Sequence, residues 1–221
     1  YVDIEGARGI EIFVLQGDRL TDVMQRYNLL SGGGCLPPMW GLGLKYRVKS
    51  DFTATQVESL ARYFREQRIP CDVIGLEPGW QTHAYSCSYV WDKGRFPRPE
   101  ALLDTLHAQG YRVNLWEHAY VHESSPLYAP LYDHSGDFRV WQGLVPDFLD
   151  PEAVRLFAGY HQSLLDSGVD GFKLDECDNS NIGRGDSNWG FPDMTRFGSG
   201  IDGEQMHQLY GALYLRGLSD L

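Results

Sequence analysis

From residue 40 to residue 218, short apolar runs alternate four times with amphipathic helical segments. The runs are 40–46, spaced by glycines, then 72–77 (DVIGLE), 112–117 (RVNLWE) and 169–176 (VDGFKLDE). Between them, residues 53–67 place Val57, Leu60, Ala61 and Phe64 at helical spacing. Residues 97–109 open on Pro97 and stop at Gly110, residues 151–166 open on Pro151 and stop before Gly168, and 205–218 form a last helix. Apolar strands separated by helices pair in parallel, because only a long crossover returns the chain to the same end of the sheet. The fold class is therefore α/β with a parallel sheet, either half of a TIM barrel or an open doubly wound sheet. Both place ligand sites at the carboxyl ends of the strands. A complete eightfold barrel takes about 250 residues, more than a chain of 221 residues offers once its N-terminal segment is set aside.

That N-terminal segment reads differently. Residues 9–16 (GIEIFVLQ) alternate apolar and polar side chains, the signature of a half-buried strand. Asp18 is then expected to cap a helix carrying Val23, Tyr27 and Leu30 on one face. Gly32-Gly33-Gly34 and Pro37-Pro38 break the pattern and divide a first region, 1–36, from a second, 37–221. The chain starts at Tyr1 with neither Met nor a leader pattern, and reads as a piece of something longer.

Charge and cysteine content exclude several classes. Thirty acidic residues against 19 Lys and Arg, a net charge of −11 with no basic run, exclude nucleic acid and anionic membrane surfaces as partners. No stretch has the roughly 18 apolar residues of a membrane span. The four cysteines form no CxxC pair, which argues against a zinc knuckle or a thioredoxin-like site, and they are too few for a disulfide scaffold. The compartment is left open between extracellular, periplasmic and cytoplasmic. The glycine triplet lacks a following GK[ST] and no GxGxxG occurs, so no nucleotide or other cofactor is expected.

Three of the four strands end in charged residues: Glu77 before Pro78-Gly79-Trp80, Trp116-Glu117-His118, and Lys173-Leu174-Asp175-Glu176-Cys177-Asp178. Such endings on successive strands point to a shared pocket. Along the fourth strand Lys173 and Asp175 share one face, while Phe172 and Leu174 point to the covering helices. An ammonium beside a carboxylate favours its ionised form, which is what a nucleophile or an oxocarbenium stabiliser requires. A buried Lys–Asp ion pair without chemistry has the same spacing. His118, His122 and Glu123 lie on a loop where an i, i+4 pair is not held on one face; without HExxH they read as solvated histidines, not metal ligands. Cys177 reads as a small apolar filler, and Asp150 as the cap of the helix that follows it.

In order along the chain, these residues resemble glycoside hydrolase family 31, the retaining α-glycosidases. The similarity runs through Pro37-Pro38-Met39-Trp40-Gly41-Leu42-Gly43, Ile69-Pro70-Cys71-Asp72-Val73, and Arg95-Phe96-Pro97 with Leu106-His107. It continues through Leu115-Trp116, Asp150-Pro151-Glu152-Ala153, the strand from Gly168 to Asp175, and His207-Gln208-Leu209-Tyr210 with Arg216. The resemblance implies the N-terminal half of a (β/α)8 catalytic barrel following the tail of a β-sandwich domain. It implies hydrolysis of a terminal α-linked sugar by double displacement, with an oligosaccharide or glycoconjugate as substrate. It makes Asp175 the nucleophile and lines the sugar subsite with Glu77, Trp116, Lys173 and Asp178, and more weakly with Trp80 and Trp91. The acid/base, an Asp two strands further on in the family, is expected beyond residue 221, in the remaining part of the catalytic domain. Two departures fall in the pocket: Glu77 stands where the family usually has Asp, and His118-Ala119 where Asn-Pro is common. They bring galacto-configured or N-acetylated sugars beside glucose. The competing reading is a truncated, non-catalytic carbohydrate-binding piece.

Overall fold

The computed structural model describes residues 9, 11–177, 189–219 and 221. The chain divides into two compact units, Tyr1–Leu42 and Gly43–Leu221. In the first, helix α1 (Leu20–Leu30) starts one residue later than expected. Arg19 is its N-cap, and Asp22 reaches back to the Arg19 backbone N–H at 3.2 Å. None of its residues is buried. The described residues of 9–16 form no strand, contrary to the alternation, and Ile12, Phe13 and Val14 are exposed. Alternation marks a side-chain pattern, but a strand also needs a hydrogen-bonded neighbour, and no described residue supplies one here.

The second unit is built on a four-stranded parallel sheet of β1 (Lys45–Arg47), β2 (Val73–Leu76), β3 (Arg112–Glu117) and β6 (Gly171–Leu174), side by side in that order. Each new strand is added on the same side of the last. With right-handed crossovers this winding keeps every helix on one face of the sheet. A doubly wound sheet would reverse its strand order at a switch point. The topology is that of a barrel wall.

Helices α2 (Ala54–Glu66), α3 (Pro99–Ala108) and α5 (Pro151–Asp166) are the crossovers. Thr53 caps α2 in a capping box with Gln56, and Asp150 caps α5 by accepting the Glu152 N–H at 2.8 Å. Ile74, Leu76, Val113 and Leu115 are wholly buried or nearly so, among Val57, Ala61, Leu102, Leu106 and Phe157 of the helices. The predicted helix at 205–218 is two helices, α6 (Gly203–His207) and α7 (Tyr210–Ser219), broken at Gln208 and Leu209.

Between β3 and α5 the chain forms the short helix α4 (Tyr128–Leu131) and an antiparallel hairpin of β4 (Ser135–Val140) and β5 (Gly143–Pro146). Sequence reading missed this hairpin. Its two-residue loop, Trp141-Gln142, has φ of 47° and 64°, a conformation usually signalled by Asn-Gly.

Candidate active site

Side-chain alternation sorts the strand ends into two sets. On the face turned away from the helices lie Lys45 and Arg47 of β1, Glu77 just past β2, Asn114 and Trp116 of β3, and Lys173 with Asp175 at the end of β6. Register reinforces this, since Trp116 pairs with Lys173 and Glu117 with Leu174.

Asp175 is the best-held carboxylate of the set. Its Oδ2 accepts from Lys173 Nζ at 2.6 Å and from Trp116 Nε1 at 2.8 Å, and its Oδ1 accepts the Glu176 N–H at 3.0 Å. The Asp175 N–H is bonded to the Glu117 carbonyl at 2.9 Å, so the sheet itself fixes its backbone. Burial opposes ionisation of Asp175, but the hydrogen bonds from Lys173 and Trp116 outweigh it, and the carboxyl sits below its ordinary value. Oδ2 carries both side-chain donors, which leaves Oδ1 as the freer edge.

Glu77 faces the same way but is occupied. Arg47 grips it with two hydrogen bonds, Nε to Oε1 at 2.6 Å and Nη2 to Oε2. The Glu77 hydrogen bond holds the Arg47 guanidinium above its usual value against desolvation, with Asp175 adding to the effect. Sequence reading missed Arg47 because the first strand was ended at Tyr46; alternation from Lys45 would have found it. Burial, followed by the nearby charges of Lys173 and Arg47, lowers the pKa of Lys45.

Several expectations change on this geometry. Trp80 is no sugar platform: it is wholly buried, donates its indole N–H to the Trp116 carbonyl at 2.7 Å and meets Trp91 edge-on at 5.0 Å. Both support the strand that carries Trp116. Glu117 does not join the pocket either, because it has the opposite parity from Trp116. It lies buried under the helices, bonded to His161 Nε2 of α5 at 2.9 Å and to the Tyr214 hydroxyl of α7 at 2.7 Å. His118 is not solvated. It is buried among Trp116, Tyr85, Tyr120 and Trp141, and burial pushes its pKa down to about 3. No cluster of three or more metal-ligating side chains occurs among the described residues. Asp178 lies outside the described residues.

A residue that sequence reading passed over closes the site. Tyr85 follows β2, is 44% exposed, tilts over Trp116 at 5.4 Å and donates its hydroxyl to Glu176 Oε1 at 3.1 Å. A cavity of about 470 Å³ is lined by Asp175 itself together with Leu174, Glu176, Cys177, His207 and Tyr214.

The match that decides the family covers residues 34–221, which fit the model of the glycosyl hydrolases family 31 TIM-barrel domain. The chain belongs to glycoside hydrolase family 31. It is 33% identical to the α-xylosidase XylQ of Lactiplantibacillus pentosus over 76% of this chain and 24% of that one. It is 27% identical to an α-glucosidase of Saccharolobus solfataricus over 75% of this chain and 25% of the other. The chain thus spans about a quarter of the length of these relatives. Among solved structures, a family 31 dextranase of Flavobacterium johnsoniae complexed with glucose superposes with a TM-score of 0.78. That likeness has 22% identity and covers 92% of this chain and 26% of that one. The cycloalternan-forming enzyme of Listeria monocytogenes gives 0.76 at 21% identity, over 92% and 22%. Of the two sheet architectures left open by the sequence, the family 31 domain is the barrel, and the parallel sheet is its first half.

Proposed function

We propose that the protein carrying this chain is a retaining α-glycoside hydrolase in which Asp175 is the nucleophile. The observation that carries this reading is the Asp175 carboxylate, partly open to solvent at the end of β6 and held ionised by Lys173 and Trp116. In the mechanism, Asp175 Oδ1 attacks the anomeric carbon of a terminal α-linked sugar. The bond to the leaving oxygen breaks, that oxygen takes a proton from a second carboxyl, and a glycosyl ester forms on Asp175. Water, deprotonated by the same second carboxyl, then cleaves the ester with net retention. In such enzymes the two carboxyls stand about 5–5.5 Å apart. Family resemblance assigns the second one to a strand two further along the barrel.

Holding Asp175 ionised keeps it ready to attack, and the two donors sit on Oδ2, so the attacking edge is not blocked. Glu77 and Arg47, locked to each other, offer the sugar a rigid polar edge whose outer lone pairs and N–H groups accept and donate to ring hydroxyls. The relatives' names make α-xylosides and α-glucosides the first candidates, with galacto and N-acetylgalacto sugars following from Glu77. A panel of nitrophenyl α-glycosides over these sugars ranks them; if Glu77→Asp leaves the order unchanged, Glu77 does not select the sugar. Trapping the full-length protein with a slow 2-fluoro glycosyl fluoride and mapping the labelled peptide tests the nucleophile. The label is expected on Asp175; a label on Glu176 or Asp178 would overturn the assignment.

A further inference from the structure

A second cavity, of about 430 Å³, lies among His83, Tyr85, His122, Arg139, Trp141 and Gln142, with no carboxylate among its described lining residues. This is notable in a chain of net charge −11. Its walls come from three segments that are tied together. The Cys87 N–H bonds the Tyr120 carbonyl and the His122 N–H bonds the Cys87 carbonyl, both at 2.9 Å. Ser86 Oγ donates to the Trp141 carbonyl at 3.3 Å, and a Cβ at Gly143 would run into the Ser86 side chain. The hairpin holds Trp141 and Gln142 at positive φ, where a non-glycine residue is strained. Such strain persists where surrounding structure over-determines it, typically at binding sites.

Arg139 supplies the cation of this cavity, and its free N–H groups are the donors an oxyanion would meet. Arg139 uses Nη1 on the Gly136 and Phe138 carbonyls, and among the described residues its Nε and Nη2 make no hydrogen bond. His83 and His122 stack at 3.6 Å with their rings 17° apart. His122 Nδ1 accepts the Ser124 N–H at 3.1 Å, so its proton is on Nε2. His83 Nδ1 faces the Ser86 carbonyl at 2.7 Å and must donate to it. Tyr85 connects this cavity to the nucleophile, since its ring meets Trp141 edge-on at 5.1 Å and Trp116 at 5.4 Å.

We propose that this cavity is a leaving-group subsite for an aglycone bearing a carboxylate or sulfate, with Arg139 binding the oxyanion and Trp141 flanking the ring. The name of the ligand as a leaving group rests on the glycosidase reading; the oxyanion preference does not. The test therefore measures binding without turnover. Calorimetry on full-length protein compares 3-hydroxybenzoate and 3-hydroxybenzenesulfonate with phenol, the two anions separating a carboxylate from a sulfate-like ligand. At least one anion is expected to bind about ten-fold or more tighter than phenol, the scale of a charge-assisted hydrogen bond. Arg139→Gln should abolish that preference and Arg139→Lys, which keeps the charge, should retain part of it. Equal binding of all three by the wild type, or a preference that survives Arg139→Gln, would overturn the subsite. An oxyanion preference in a protein that cleaves no glycoside would keep the subsite and remove the glycosidase reading instead.

Discussion

Asp175 and Glu117 are carboxylates at the ends of neighbouring strands, and the sheet makes opposite use of them. Asp175 lies on the open face with its side chain 35% exposed, tied to Lys173 and Trp116. Glu117 lies on the helix-covered face with its side chain wholly buried, tied to His161 and Tyr214. The cause is parity. A strand turns successive side chains to opposite faces, so Glu117, one residue beyond Trp116, is directed away from the pocket. The difference teaches that a charged residue at the end of a barrel strand is a reagent or a tie according to a one-residue register.

The largest expected effect breaks the first half of that comparison. Asp175→Ala in full-length protein should lower turnover by several orders of magnitude, on the order of 10⁶ where loss of a protease nucleophile sets the scale. Because Asp175 is partly solvated, water can replace it beside Lys173 and Trp116, and the loss of stability should be smaller than for Glu117→Ala. A loss of turnover under tenfold would place the nucleophile elsewhere. Glu117 should behave in reverse. Glu117→Ala strands His161 Nε2 and the Tyr214 hydroxyl in a dry site, at a cost of about 3–5 kcal/mol. His161 Nδ1 faces the Phe157 carbonyl at 2.8 Å and so donates there. A proton must then lie between His161 Nε2 and Glu117. An amide N–H can supply it, so Glu117→Gln should cost only about 1 kcal/mol. Denaturant unfolding of both variants checks this; equal losses would mean the charge of Glu117, not its hydrogen bonding, holds the helices.

How much of this was legible follows from the same parity. The run 112–117 marks β3 correctly, and alternation along 169–176 puts Lys173 and Asp175 together, as the 2.6 Å contact has them. The expectation that Glu117 joins the pocket ignored the alternation that had correctly sorted Lys173 from Leu174. Trp80 was placed in the subsite by resemblance, whereas it is held by the Trp116 backbone and by Trp91, which itself packs on Phe96, contacts that no local pattern encodes. The hairpin at 135–146 was hidden because Trp141-Gln142 lacks the glycine or asparagine that announces such a turn. Arg139 and Trp141 were missed with it.

Replacing Lys173 sharpens the comparison by acting on Asp175 without touching Glu117. Asp175 has its pKa depressed in the fold despite the opposing effect of burial, with Lys173 the first of the groups that lower it. A depressed carboxyl stabilises the fold above its unfolded pKa, and this contribution is lost as pH falls through the folded value. Lys173→Met removes the hydrogen bond and the ammonium, so the Asp175 pKa rises. The acid limb of the kcat/KM profile should shift to higher pH, and the nucleophile should be protonated over a wider acid range. An acid limb that stays in place would show that a group other than Asp175 sets it.

The last substitution probes the tie alone. Tyr214 is nearly wholly buried, and its hydroxyl donates to Glu117 Oε1 at 2.7 Å while its ring stacks on Phe148 at 5.6 Å. Tyr214→Phe keeps the ring and its packing and removes one donor. Glu117 would retain His161 on Oε2, so only Oε1 loses its partner. The expected cost is about 1–3 kcal/mol, the range for a buried acceptor left unmade, and it should appear in urea unfolding as a lower midpoint at unchanged slope. Turnover and its pH profile should stay as in the wild type, because the effect must pass through the Glu117 side chain and Asp175 is linked only to the Glu117 backbone. A Tyr214→Phe protein of normal stability with a displaced acid limb would mean that the two faces of the sheet communicate through Glu117, and the division between reagent and tie would fail.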